Sequence, residues 1–437
     1  MSNKKGLALW NKAKKIIPGG SQLLSKRSEM FLPNQWPAYY HKAKGVDVWD
    51  LDNNKYFDTY GSVGASILGY ADKDVNNAVI TAIKNGSNTT LNCPEEVELA
   101  ELLCKLHPWA KMVRYARTGG EAMAVAIRIA RAKSGRDKVA FCGYHGWQDW
   151  YLAANLANDK NLDGHLLKGL EPKGLPRSLK GSAIPFHYNQ IKELEAIVKK
   201  HKDIGAIVME PLRNDQPTAN FLQKVRAIAN KINAVLVFDE ITIGWRLNLG
   251  GAHLKYKVNP DIAVFAKCIS NGFPMAAIIG TSSVMEAAQT SFISSSYWSE
   301  RIGPVAALAT IKKMKKSRVQ AHLNDIGLKL MTGLKKAALD NKIKLKISGV
   351  PALVHLDFDY GAESLAIRTL FTQEMLKRKI LASGGIYVTY SFTAKHVKIY
   401  LKAINEVFAF LNKAIAENKV KKSLNGPIAH QGFQRLI

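Results

Sequence analysis

The chain has 437 residues, 47% of them hydrophobic and 22% charged, which suits a globular protein of two lobes rather than one small core. It holds no apolar run of about 18 residues, and its first residues, MSNKKGLALWNKAKK, lack a long apolar stretch, so neither a membrane span nor a secretory signal is expected. The formal net charge of +27 suggests an anionic partner such as nucleic acid, but only 15 of the 62 basic residues are Arg and no zinc-finger, RRM or basic-zipper signature accompanies them.

Lysines are spread along the chain and densest in KKMKK (312–316) and KVKK (419–422), so a solvated basic surface is expected rather than a nucleic-acid face. The four cysteines, Cys93, Cys104, Cys142 and Cys268, form no Cys-x-x-Cys pair, which argues against structural zinc and for a reducing compartment, the cytoplasm by default.

In chain order, HKAKGVDVWDLDNNKYFDTYG reads as two short antiparallel strands that turn at Asp52-Asn53-Asn54. From about 112 to 280, short β-branched runs alternate with helical stretches. KMVRYA (111–116) is a strand, and EAMAVAIRIARAKSG (121–135) a helix stopped by Gly135. Then come a strand VAFC (139–142), a helix near 190–200, a strand AIVME (206–210), a helix near 219–231, and strands AVLVF (234–238) and DIAVFA (261–266). Such alternation predicts a parallel sheet covered on both faces. From about 325 onward a helix, a strand VPALVHLDF (350–358), a helix and a long amphipathic helix (394–418) follow. The expectation is an α/β protein with a large lobe over 66–325. Both chain ends, 1–65 and 326–437, would build a small α+β lobe.

In open α/β sheets the residues just beyond the strands' carboxyl ends hold ligands. Three of these places carry chemistry. After 111–116 comes RTGGEA, where Thr118 can cap a helix while Gly119 and Gly120 let backbone N–H groups approach an anion such as phosphate. Taken alone, that stretch is more often a plain strand-to-helix turn with a good cap. After 234–238 come Asp239 and Glu240; a P-loop ATPase reading fails because no GxxxxGK[ST] loop exists, and a helix cap or an ion pair remains open. After 261–266 comes Lys267, in VFAKCISNGFPMAAIIG (264–280): a desolvated lysine loses its proton and becomes a nucleophile able to form an imine with an aldehyde, though a single such lysine more often reaches water. Together a phosphate cradle, an amine and a buried acid are the parts that hold pyridoxal phosphate.

FDEITIGWRLNLGGAHLKYKVNPDIAVFAKCISNGFPMAAIIG (238–280) resembles the cofactor signature of the class-III aminotransferases, and within them most the glutamate-1-semialdehyde aminomutase group and its polysaccharide-cluster relatives. The likeness runs from PGGSQLLSKR (18–27) to HQGFQRL (430–436). It implies the type I fold of pyridoxal-phosphate transferases, with a mostly parallel seven-stranded sheet. It also implies a homodimer with shared active sites. Lys267 would hold the cofactor's aldehyde and move the proton at the substrate Cα, and Asp239 would face the pyridine nitrogen. Ile241, where the family usually has Val, and Tyr144 from GYHGW would flank the ring, with His145 in the same motif. Thr118, Gly119 and Gly120 would receive the phosphate; Glu210 and Asn214 of EPLRND would steer the phenolic oxygen. Ser299 or Ser296, in SSSYWSERIGP (294–304), would reach the phosphate of the neighbouring subunit.

Departures from the pattern bear on substrate. The family's SGTEA loop is TGGEA here, which leaves Thr118 as its hydroxyl. Lys26 and Arg27 stand near the arginine with which the aminomutases bind a substrate carboxylate, in a stretch one residue longer. The implied reaction is transfer of an amino group from a donor such as glutamate to a carbonyl acceptor, a sugar or a small aldehyde. An intramolecular aminomutase is the alternative. An anion-binding protein using the basic surface is the reading from a different class.

Overall fold

The computed structural model describes residues 3–218, 220–434 and 436. Its chain divides into two compact units, one of residues 73–320 and one of residues 3–72 with 321–434 and 436. The sequence reading placed the joins at 65/66 and 325/326, a few residues away.

The unit spanning 73–320 holds a seven-stranded sheet. Its strands are β1 (Met112–Ala116), β2 (Lys138–Cys142), β3 (Ala183–Pro185), β4 (Ile204–Met209), β5 (Val235–Asp239), β6 (Ile262–Phe265) and β7 (Ala276–Gly280), in the order β1-β7-β6-β5-β4-β2-β3. Only β7 runs against its neighbours. Every residue of β4, β5 and β6 is buried, as strands covered on both faces must be. Alternation then sorts the side chains between two cores. Val139, Phe141, Ala206, Val208, Val235, Val237, Ile262 and Val264 join one, together with the inner face of helix α1 (Gly119–Ser134). Ala140, Cys142, Ile207, Met209, Leu236 and Phe238 join the other, which α2 (Ile191–Lys200) and α3 (Phe221–Lys231) cover through Leu194, Phe221, Leu222 and Val225. The alternating strands and helices read from the sequence are there. The short β3 and the antiparallel β7 are additional to that reading.

Helix α1 has a complete start and stop. Thr118 is its N-cap in a reciprocal capping box with Glu121, and Gly135 closes it at φ +63° in the left-handed region. The helix therefore begins two residues earlier than the hydrophobic pattern indicates, because the two glycines form its first turn.

In the unit built from the chain ends, the strand pair read around Asp52 is Asp47–Asp50 with Lys55–Asp58, preceded by a third strand, Tyr40–Lys44. Asp50 fixes the turn: its Oδ1 accepts from the N–H groups of Asp52 (2.9 Å) and Asn54 (2.8 Å), with Asn53 at φ +63°. Strand Ile380–Leu381 adds in parallel to Lys55–Asp58, so both chain ends share one sheet. VPALVHLDF is not one strand. Leu345–Val350 and Leu353–Phe358 form a hairpin that turns through Pro351-Ala352, since proline has no N–H to give a ladder. The long helix Ala394–Ala416 turns Val397, Tyr400, Ile404, Val407, Phe408 and Leu411 inward. Among the described residues, no helix is long and apolar enough to cross a membrane.

Candidate active site

The carboxyl ends of β1, β2, β4, β5 and β6 lie along one edge of the sheet, because β7, antiparallel to both β1 and β6, leaves those two parallel. Asp239 is the last residue of β5, Glu210 follows β4, Tyr144 and His145 follow β2, and Lys267 stands two residues beyond β6. Five side chains far apart in sequence therefore converge.

Lys267 opens a short 3₁₀ turn, Lys267–Ser270, with its backbone at φ +49°, a region a non-glycine residue seldom adopts. Its Nζ donates to Thr242 Oγ1 at 2.9 Å. Burial pulls the amine down from the usual 10.5 to about 8; the like charges of Arg213 and Arg246 push the same way, against the Glu210 and Asp239 carboxylates. Arg246 is itself buried, and its Nε donates to the Thr242 carbonyl at 2.7 Å, which ties down the loop that presents Thr242.

Asp239 is 3% exposed and His145 2%. The two meet at 2.8 Å, Asp239 Oδ2 to His145 Nδ1, while His145 Nε2 lies 3.1 Å from the Cys142 carbonyl and Asp239 Oδ1 accepts from the Ile241 N–H at 3.0 Å. The ring thus spans two acceptors, the Asp239 carboxylate and the Cys142 carbonyl, and His145 braces Asp239 at the strand tip.

At the start of α1, the N–H groups of Gly119 and Gly120 have no acceptor among the described residues, which is the usual state of a first helical turn. A side chain at either glycine would have to displace a neighbouring side chain. A Cβ on Gly119 would lie 2.9 Å from Ile241 Cδ1, and one on Gly120 2.4 Å from Gln148 Nε2. Ile241 is thereby set against the glycine turn. The hydroxyl of Thr118 is committed to the cap: it donates to Glu121 Oε2 at 2.9 Å and accepts from the Glu121 N–H at 3.4 Å.

Glu210, 5% exposed, accepts from Arg213 Nη1 through both oxygens, at 2.8 and 3.1 Å, and from the Tyr144 N–H at 3.4 Å. Tyr144 packs edge-on against Tyr151, while Asn214 lies exposed on the following loop. Behind Asp239, Glu240 is fully buried and anchors the next loop, accepting from the N–H groups of Ala252 (2.8 Å) and His253 (2.9 Å) and facing His253 Nδ1 at 2.7 Å.

The structure thus brings together Lys267, Asp239, His145, Tyr144, Ile241, Glu210, Gly119 and Gly120. Ser296 and Ser299 bound an exposed 3₁₀ turn, and no hydrogen bond joins either to this site among the described residues; Glu300 beside them pairs with Arg117 at 2.9 Å. Lys26 and Arg27 belong to the other unit, where Arg27 Nη1 donates to the Gln434 carbonyl at 3.1 Å and its guanidinium lies 5.6 Å from the Phe433 ring centroid. Three residues at the site were not singled out from the sequence: Thr242, Arg213 and Gln148. The first two stand inside stretches quoted above, yet nothing in their spacing signals that they reach the amine or the acid.

These parts suit a phosphorylated aldehyde with a basic ring: free N–H groups at a helix start, a desolvated amine and a braced carboxylate. The family model of the class-III aminotransferases matches residues 32–407. The 3-aminobutyryl-CoA aminotransferase of Cloacimonas acidaminovorans is 30% identical over 424 residues, covering 94% of this chain and 98% of that protein. The glutamate-1-semialdehyde 2,1-aminomutase of Wigglesworthia glossinidia brevipalpis is 31% identical over 433 residues, covering 93% and 98%. Among solved structures, the FumI protein of Sphingopyxis sp. MTA144, with pyridoxal phosphate, superposes with a TM-score of 0.85 at 23% identity, over 94% of this chain and 97% of that one. An omega-transaminase from Sphaerobacter thermophilus gives 0.83 at 24% identity, over 93% and 98%. At these identities the structural likeness speaks for the fold.

Proposed function

We propose that this chain, which belongs to the class-III aminotransferase family, is a pyridoxal-phosphate enzyme that moves an amino group from a small donor such as glutamate to a carbonyl acceptor. The observation that carries the reading is the Lys267 amine, held neutral-prone by burial and aimed by Thr242 from the loop that follows Asp239.

When bound, pyridoxal phosphate supplies an electrophilic aldehyde and an electron-withdrawing ring. The chain's residues supply the rest. Lys267 Nζ, with a pKa of about 8, is partly unprotonated near neutrality and serves first as nucleophile, then as carrier of the proton at the substrate Cα. Thr242 Oγ1 holds that nitrogen in place between the two duties. Asp239, braced by His145, would keep a proton on the ring nitrogen. Tyr144 and Ile241 would hold the ring, and Glu210, kept in place by Arg213, would with Asn214 steer the phenolic oxygen. The first turn of α1 binds the phosphate through the Gly119 and Gly120 N–H groups; Gln148 Nε2, beside Gly120, adds a donor that the Thr118 hydroxyl cannot give while it caps.

The chain acts as a homodimer with shared sites, in which a second copy brings Ser296 or Ser299 to the phosphate. In support, a single chain exposes Phe292 (88%) and Tyr297 (71%), which flank Ser296 in sequence. An intramolecular aminomutase is the second reading, favoured by the aminomutase relative at 31% identity. Glutamate alone, mixed with the cofactor-loaded enzyme, separates the two. The aminotransferase converts the bound cofactor's absorbance to that of its amine form and releases 2-oxoglutarate, and Lys267→Ala does neither. No change with any amino donor in the native enzyme would sink the proposal.

A further inference from the structure

Beside the amine, the tips of β2, β3 and β4 enclose a cavity of about 170 Å³, lined in part by Tyr144, His165, His187, Glu210, Arg213 and Asp215. Resting on the reading above, we propose that this cavity is a subsite for an uncharged, hydroxyl-bearing arm of the substrate.

Three observations lead there. First, the cavity adjoins the reacting centre. Glu210 and Arg213 line it and also act on the Lys267 amine, and the Tyr144 backbone binds Glu210. Second, a residue of its lining, His165, carries a buried donor that no acceptor among the described residues answers. His165 Nδ1 accepts from the Gly143 N–H at 3.3 Å, and burial together with the neighbouring His145 and His187 pulls the ring down to about 4. The neutral ring therefore carries its hydrogen on Nε2, and that atom is buried with no hydrogen-bond partner among the described residues. His187 stacks on His165 at 5.8 Å and is fixed by Glu193 at 3.0 Å, so the donor is held still. Third, the charge is wrong for an anion. Glu210 and Asp215 set two carboxylates against the one guanidinium of Arg213, whose Nη1 is already given to Glu210. A carboxylate or phosphate entering here would meet the surplus negative charge. A hydroxyl accepts from His165 Nε2–H through its oxygen and donates its own hydrogen to a carboxylate, which satisfies both sides without adding charge.

The test loads the enzyme with the amine form of the cofactor and follows its absorbance in single turnovers with three aldehydes of similar length: D-erythrose, butanal and succinic semialdehyde. D-erythrose is expected to react about tenfold faster than butanal at equal subsaturating concentration, with succinic semialdehyde slowest. In His165→Asn, whose Oδ1 can still accept from Gly143, the advantage of D-erythrose disappears while butanal and the cofactor absorbance are unchanged. His165→Gln, which keeps a donor farther out, regains most of it. Ligand-detected NMR with erythritol, which cannot react, is expected to show transfer from the native protein and none from His165→Asn. Succinic semialdehyde outrunning D-erythrose, or His165→Asn slowing all three aldehydes alike, overturns the subsite. A protein that shows no cofactor absorbance and reacts with no aldehyde refutes the aminotransferase reading instead, and the erythritol measurement still decides the cavity: no transfer overturns it.

Discussion

Removing the charge at position 267 should stabilise the apoprotein, and only below a particular pH. Burial lowers the Lys267 amine from 10.5 to about 8. At about 1.4 kcal/mol for each tenfold in proton affinity, the folded state bears about 3 kcal/mol for holding the ammonium. Below pH 8 the amine is charged in both folded and unfolded chains, so that cost is present in full. Between 8 and 10.5 the folded amine is neutral while the unfolded one still binds its proton, and stability rises with pH. Lys267→Met deletes the charge but also the hydrogen bond to Thr242, which contributes about 1 kcal/mol. The expected net gain at pH 7 is therefore about 2 kcal/mol. With a denaturant slope of about 3 kcal/mol/M, the urea midpoint of the unit carrying residue 267 moves up by about 0.7 M. At pH 10.5 the gain should vanish or turn slightly negative. Tryptophan fluorescence and circular dichroism of the two apoproteins at both pH values measure this. The same midpoint difference at pH 7 and 10.5 would refute a desolvated amine, and with it the reason Lys267 is reactive near neutrality.

Two further substitutions probe the parts around it. Asp239→Asn is expected to keep the cofactor but slow the glutamate half-reaction by on the order of a thousandfold, because a neutral amide cannot hold the ring proton; an unchanged rate constant in stopped-flow absorbance contradicts that role. Thr118→Ala should lower stability by about 1 kcal/mol through loss of the cap and change cofactor affinity less than about threefold, since the hydroxyl is spent on Glu121. A large loss of affinity in equilibrium titration, without loss of stability, would reassign Thr118 to the phosphate.

The sheet was legible because its strands are continuous apolar runs and its helices carry their own punctuation. Thr118 with Glu121 starts α1 and Gly135 ends it, by interactions within a few residues. The same local chemistry made the Asp50–Asn54 turn readable. VPALVHLDF misled because hydrophobicity does not record which N–H groups a ladder needs, and Pro351 has none to offer. The short β3 and antiparallel β7 escaped for a related reason: a strand of three to five small apolar residues looks like part of a loop until a neighbour pairs with it.

By itself, the sequence determined the fold class and the placing of Lys267, Asp239, Gly119 and Gly120 at or just beyond strand ends, since hydrophobic period and turn chemistry act between near neighbours. Tertiary structure alone decided what those residues touch. That Thr242 takes the amine, that His145 braces Asp239, that the Gln148 Nε2 rather than the Thr118 hydroxyl stands over the glycine turn, and that His165 Nε2 has no partner among the described residues all depend on loops from different strands meeting at one edge of the sheet. Desolvation and hydrogen bonding across those meetings set the chemistry, and neither is a property of spacing along the chain.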